Sequence, residues 1–313
     1  MTGAGTVEQV ASALLYEGYL LYPYRRSAMK NRQRFNFGVI YPEMHARSDA
    51  RVDPCRMRTE CLVRGGTALR IDIYVRFLHL FALPGDGPGE PEWHDAVERD
   101  IAIVDVSPVD LSEHPREVPF AWPPADWLGR QRALRGRVEL SVELVGAGTW
   151  RLGVTIVNLT PVEPLGASSR DELLLSSLVS THTILRAAGG EFVSLIDPPE
   201  DLKRAASGCA NVGTWPVLAG EEGSRTTMLS SPIIVYDYPT VAPESPGEFF
   251  DGTEIDEMLS LRILTLTDAE KREMGATDER ARQLLERTEQ LGQADLMRLH
   301  GVLRHIRALK EAP

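Results

Sequence analysis

The residue types able to do chemistry fall into four groups. Four tyrosines, Tyr16, Tyr19, Tyr22 and Tyr24, run into Arg25, Arg26, Lys30, Arg32 and Arg34. Aromatics interleaved with arginine can stack on single-stranded nucleic acid or build a protein interface, where Tyr and Arg are enriched; an ordinary solvated surface is the third reading. The net charge of −11 at pH 7 and the lack of any nucleic-acid module place interface above nucleic acid. Tyr19, Tyr22, Tyr24, Arg25 and Arg32 are the expected partner-binding residues of this segment. Asp251, Glu254, Asp256 and Glu257 crowd the expected start of a helix, where negative charge complements the dipole and caps free N–H groups. The functional alternative is that Asp251, Glu254 and Glu257 form a face for a cation or a partner's arginines.

The thiols and imidazoles point less clearly. Cys55 and Cys61 are six apart, not the two to four that close a metal knuckle. Cys61 falls in an expected strand, where a thiol is usually a small core hydrophobe. Cys209, in the loop GCANVG, is the thiol expected at the surface, as a plain loop residue, a ligand or a redox group. The seven histidines are scattered, with no HxH or HExxH pair; His300 and His305, five apart, do not share a helix face. His182, in SLVSTHTIL, reads as a core histidine before it reads as a ligand or base. Cys209 and His182 are the weak metal candidates; whether a metal binds is left open, and no cofactor is predicted. No GxSxG elbow, P-loop, GxGxxG after a strand, or EF-hand loop occurs. No motif names a reaction.

Positioning these groups takes 313 residues, 43% hydrophobic and 25% charged, an ordinary globular composition. The first eighty residues hold twelve basic against seven acidic residues, +5, so the remainder carries −16. Only four basic residues are Lys, a bias that genomic composition explains before function does. The charge split marks either a basic face for an acidic partner or one that meets the chain's own acidic C-terminal part. No run reaches the ~18 apolar residues that cross a bilayer, and MTGAGTVEQV has no basic n-region or apolar h-region. With an odd number of cysteines, three, a reducing, cytoplasmic location is expected, without membrane insertion.

Several elements are legible. Thr6 to Gln9 reads as a capping box before a helix ending near Gly18. A strand is expected through Phe35–Tyr41. Arg58–Val63 and Ala68–Phe81 read as two strands joined at Gly65-Gly66. A strand follows at Val97–Val104, then an irregular Pro- and Trp-rich cover over 107–130. Arg137–Val145 and Thr149–Leu159 alternate on both sides of Gly146-Ala147-Gly148, a clear hairpin. A helix is expected over 171–187 after Ser169, then a strand at Phe192–Ile196, a short helix to Gly208, and strands at Trp215–Leu218 and Thr227–Tyr236. Thr267 to Glu270 is a second capping box, before helices over 278–291 and 294–309. The expected architecture is α+β, an antiparallel β-sandwich-like core with mixed α/β additions and a C-terminal helical arm. Its segments are 1–164, 165–250 and 251–313.

Five stretches carry a resemblance: YEGYLLYPYRRSAMKNRQRFNFGVIYP (16–42), RTECLVRGG (58–66), FVSLIDPPE (192–200), TWPVLAG (214–220) and SSPIIVYDYPTVAPESPGEFFDGTEIDEMLSLRILTLTDAEKREM (230–274). Together they resemble a bacterial family, without an assigned activity, encoded beside the structural subunits of high-affinity, oxygen-tolerant nickel–iron uptake hydrogenases. The resemblance implies a pathway, the assembly, maturation or scaffolding of that hydrogenase, and carries over no functional residues. The CxxC pairs and His-rich tracts of nickel-delivery proteins are missing, which argues against a metallochaperone. The leading expectation is a non-catalytic accessory protein that binds a hydrogenase subunit or its precursor. The alternative is an enzyme, or a small-molecule or metal-binding protein, with a pocket gathering Cys61, Cys209, His182 and nearby carboxylates.

Overall fold

Leu69, Ile71, Ile73, Val75 and Phe77 alternate with Arg70, Asp72, Tyr74 and Arg76, and this period of two builds the central strand of the protein. The computed structural model describes residues 3–32, 34–46, 54–85, 92–162, 169–241, 245, 247, 249–250 and 256–299. Its strands are β1 (Arg56–Leu83), β2 (Trp93–Val106), β3 (Arg116–Trp122), β4 (Leu134–Gly146), β5 (Thr149–Asn158), β6 (Val179–Val193), β7 (Trp215–Leu218) and β8 (Thr227–Ser231). The helices are α1 (Gly3–Leu15), α2 (Glu43–Ala46), α3 (Pro108–Glu113), α4 (Arg170–Leu174), α5 (Lys203–Ser207), α6 (Asp256–Leu264), α7 (Asp268–Thr277), α8 (Glu279–Glu289) and α9 (Gln293–Leu299). The fold is α+β, an open antiparallel sheet with a C-terminal helical region. The strand order is β3-β4-β5-β1-β6-β8-β7, with β2 also on β1.

The chain forms two compact units, one of residues 1–16 and 35–240, the other of 17–34 and 241–313. The segments expected from sequence divide differently. β6 and β8 hydrogen-bond into the same sheet as β1, so 165–240 is one body with the β-rich part, while 17–34 belongs with the C-terminal helices.

In the sheet unit, β1 runs unbroken where a Gly65-Gly66 hairpin was expected. Both of its halves pair with β6, and the register slips between Gly65 and Arg70. Gly190 sits at that slip, where a Cβ would lie 2.4 Å from the Arg64 carbonyl oxygen. The helix expected over 171–187 shrinks to α4, capped by Ser169; a turn follows over 175–178, and β6 begins at Val179. Its Val179, Thr181, Thr183 and Ile184 are β-branched and favour a strand. The segment 107–130 contains α3 and the edge strand β3, and Phe35–Tyr41 is not a named strand but an irregular stretch bridged at Ile40 to Leu178, with Phe37 and Gly38 accepting from Ser180 and Thr181. Helix α1 begins at Gly3, so Thr6 is interior to it and not its cap.

One sheet face buries the main core, from Cys61, Val63, Ile71, Ile73, Val75 and Phe77 of β1 to Val138, Leu140, Leu152 and Val154 of the β4–β5 hairpin. Phe77 meets Phe120 and Trp122 of β3 at 6.3 and 5.4 Å between ring centroids, so the sheet folds over on itself. The other face is covered by α1 through Val7, Val10 and Ala11, and separately by α5 through Ala206. Each fully buried Val or Leu there contributes about 1.5–3 kcal/mol.

The helical unit buries Tyr19, Leu20, Tyr24, Phe249, Phe250, Leu259, Ile263, Met274 and Leu284. Thr267 and Glu270 close the expected capping box on α7, and Asp278 caps α8 through the Ala281 N–H. The helix expected over 294–309 is seen as α9; residues after 299 lie outside those described.

Candidate functional site

The tyrosine–arginine segment is built into the helical unit. Tyr19 and Tyr24 are 1% and 0% exposed. The Tyr24 hydroxyl donates to the Phe249 carbonyl at 3.0 Å, and the Tyr19 hydroxyl to Asp278 at 3.2 Å. Half-buried Tyr22 lies under the Arg262 guanidinium, 5.4 Å from its ring centroid. Arg25 pairs with Glu270 and Glu273 of α7 at 3.3 and 3.4 Å. Arg26 donates to the Thr277 carbonyl at 2.8 Å, placing a cation at the negative end of α7. The expected surface therefore loses Tyr19 and Tyr24, which are core residues. Arg25 is spent on the chain's own acids, the second of the two readings of the charge split. Glu257 is half-buried in the first turn of α6. Asp251, Glu254 and the Arg32 side chain lie outside the described residues.

The pocket imagined from Cys61, Cys209 and His182 does not assemble, and strand alternation explains why. Cys61 points into the main core, whereas its neighbour Leu62 points to the opposite face and packs with Cys209. The two thiols are on opposite sides of the sheet. His182 pairs with Arg76, while Leu62 pairs with Val193; that is eleven residues along β6, roughly 36 Å at ~3.3 Å each. Burial pushes the Cys61 thiol far above its ordinary value. Burial also raises Cys209, against the opposing pull of Arg151. Neither is an activated thiolate. Among the described residues no three His, Cys, Asp or Glu side chains gather as metal ligands.

Near Cys209 the structure shows a latch that sequence reading missed. The Asn211 amide pairs with the Glu60 backbone, accepting from its N–H at 2.7 Å and donating to its carbonyl at 3.2 Å. The buried Glu60 carboxylate accepts the Ala210 N–H at 2.6 Å and an ion pair from Arg58. The side chain of Asn211 thus continues a ladder that Val212 and Arg58 begin with reciprocal backbone bonds.

His182 sits in a fully buried hydrogen-bond chain. Its Nδ1 lies 2.7 Å from the Ser180 carbonyl oxygen, so Nδ1 carries the proton and Nε2 accepts from Ser231 Oγ at 3.2 Å. That is the connectivity of a nucleophile and its base, but Ser231 and His182 are 0% and 1% exposed. Burial holds His182 at about 4, keeping it neutral. The pair supports the core.

What the sheet unit does offer at its surface is an apolar edge around β7. Ile196, Val212, Trp215, Ile234 and Tyr236 are 52%, 46%, 44%, 72% and 84% exposed. Asp237 organises the region: its carboxylate accepts from Ser194 Oγ at 2.5 Å and from the Leu218 N–H at 2.8 Å. Ser194 Oγ in turn accepts the N–H groups of Ile196 and Asp197 at 3.2 and 3.0 Å. Loops 194–197 and 233–238 are thereby fixed beside the end of β7. Trp215 faces Ser231 across the β7–β8 pair, three residues before Ile234. Both backbone groups of Leu218 point away from β8, to Asp237 and to the Tyr238 N–H. Pro216 shares that outer side by alternation and has no N–H, so the edge is closed to strand addition. Its apolar side chains are what it presents.

Among the described residues no helix is long and apolar enough to cross a membrane. Comparison with protein-family models gives no match, and comparison with curated proteins gives none either.

Proposed function

We propose that this chain is a non-catalytic accessory protein that acts by binding another protein through the β7 edge, and that its partner is a nickel–iron hydrogenase subunit or precursor met in the cytoplasm. The observation that carries the binding half is that exposed Ile196, Trp215, Ile234 and Tyr236 lie on β7 or on the two loops that Asp237 ties beside it. Scattered exposed hydrophobics are ordinary, but several gathered on a fixed edge mark an interaction site. Aromatics such as Trp215 and Tyr236 are the residue types that anchor interfaces. The hydrogenase half rests on the resemblance, and three of its strings, 192–200, 214–220 and 230–274, supply Ile196, Trp215, Ile234 and Tyr236.

Affinity capture of tagged protein from its native host, with mass spectrometry of the eluate, tests both halves. Hydrogenase large or small subunit in the wild-type eluate, lost in an Ile234→Ser, Tyr236→Ser variant of unchanged melting temperature, is the expected result. Capture that survives those substitutions removes the edge. Capture of unrelated partners alone removes the hydrogenase.

A further inference from the structure

The apolar side chains of the β7 edge stand on a backbone that has little to offer a partner's backbone. Leu218 gives its N–H to Asp237 and accepts the Tyr238 N–H at its carbonyl. Pro216, on the same outer side by alternation, has no N–H. An extended segment laid along this edge would bury N–H and C=O groups with no donors or acceptors facing them, which native structures avoid. An α-helix satisfies its backbone internally and shows apolar side chains three and four residues apart on one face. The side chains it would meet, Ile196, Trp215, Ile234 and Tyr236, are large and exposed.

The charge beside them has one sign. In 194–197, 212–215 and 233–238 the only charged residues are Asp197 and Asp237. Asp237 is occupied by Ser194 and Leu218. The next acids along the chain, Glu200 and Asp201, are paired with Lys203 and Arg64. Asp197 is exposed, with its N–H held by Ser194 Oγ at 3.0 Å, and its carboxylate meets no cation among the described residues. Resting on the reading of the β7 edge as the binding surface, we propose that its occupant is an amphipathic α-helix of the partner protein that carries a Lys or Arg beside its apolar stripe. The stripe covers Trp215, Ile234 and Tyr236, as apolar helix faces do in hydrophobic binding sites, and the cation meets Asp197.

The test places a photo-crosslinking phenylalanine analogue in the full chain in its native host, at 196, 215, 234 or 236 in turn, and maps each adduct to a residue by mass spectrometry. The expected adducts fall in one partner segment, three, four or seven residues apart, with a Lys or Arg on the same helical face. Asp197→Lys, combined with the analogue at 236, should lower the adduct yield about threefold or more, the scale of a charge pair at an interface rim that also steers association. Asp197→Asn should lower it less. Adducts two residues apart, the extended-chain pattern, or adducts to a proline-rich segment overturn the helix. A yield that Asp197→Lys leaves unchanged overturns the basic residue. Each of those results leaves the edge standing, since adducts still form there, whereas no adduct from any of the four positions removes the edge and this proposal together.

Discussion

Mild acid should destabilise the sheet unit well before its carboxylates protonate. Burial holds His182 and His79 at about 4, against 6.5 when solvated. Between those values the unfolded chain takes up protons that the folded chain refuses, so stability is full above pH ~6.5 and falls as pH drops toward 4. With those two limits, each histidine removes about 2 kcal/mol between pH 7 and pH 5. The pair removes about 4 kcal/mol, a large share of a typical domain's stability. Glu172 and Glu270 are held below the ordinary carboxylate value, the first by Arg130 and the second by its bonds to Thr267. Their stabilisation is lost only at lower pH, so the two effects separate. Urea unfolding followed by circular dichroism at pH 7, 6 and 5 measures the loss directly. His182→Gln should be less stable at pH 7 yet lose about 2 kcal/mol less than wild type on reaching pH 5. A flat wild-type profile, or a His182→Gln profile parallel to it, would refute the reasoning.

Three further outcomes are expected. Asn211→Ala removes both side-chain bonds to the Glu60 backbone, which should cost about 1–3 kcal/mol and accelerate alkylation of Cys209, measured by mass spectrometry. Tyr24→Phe orphans the Phe249 carbonyl and should cost about 1 kcal/mol of the helical unit's stability by denaturant titration. Arg25→Glu sets a third carboxylate against Glu270 and Glu273, so amide exchange in α7 should quicken while that of β1 stays unchanged.

The parts of the fold that were legible in the sequence are those where one periodicity dominates. The β4–β5 hairpin was readable because Val138, Leu140 and Val142 alternate with polar residues and Gly148 takes the positive-φ turn position. The α7 capping box was readable because Thr267 and Glu270 are three apart. β6 was misread as a helix because both of its faces are buried at 179–185, which erases the period-two signal. The Gly65-Gly66 turn was misread because a bulge and a hairpin call on the same residue type. The candidate site was less legible still. Composition exposed the charge split between the two ends of the chain, but only the fold shows Arg25 spent on Glu270 and Glu273. In the sequence Trp215 and Ile234 read only as members of the strands expected at Trp215–Leu218 and Thr227–Tyr236. Their exposure shows only in the fold, where Asp237 ties Ser194 and Leu218, forty-three and nineteen residues away, into one region beside them.

The central claim is that the β7 edge is the surface on which the hydrogenase partner is held. Its most direct test places a photo-crosslinking phenylalanine analogue at position 236 in the native host, with position 144, which is 58% exposed on the β4–β5 hairpin, as the control. An adduct to a hydrogenase subunit from position 236 and none from position 144 is the predicted result. No adduct from position 236, or the same adduct from both positions, would contradict the account.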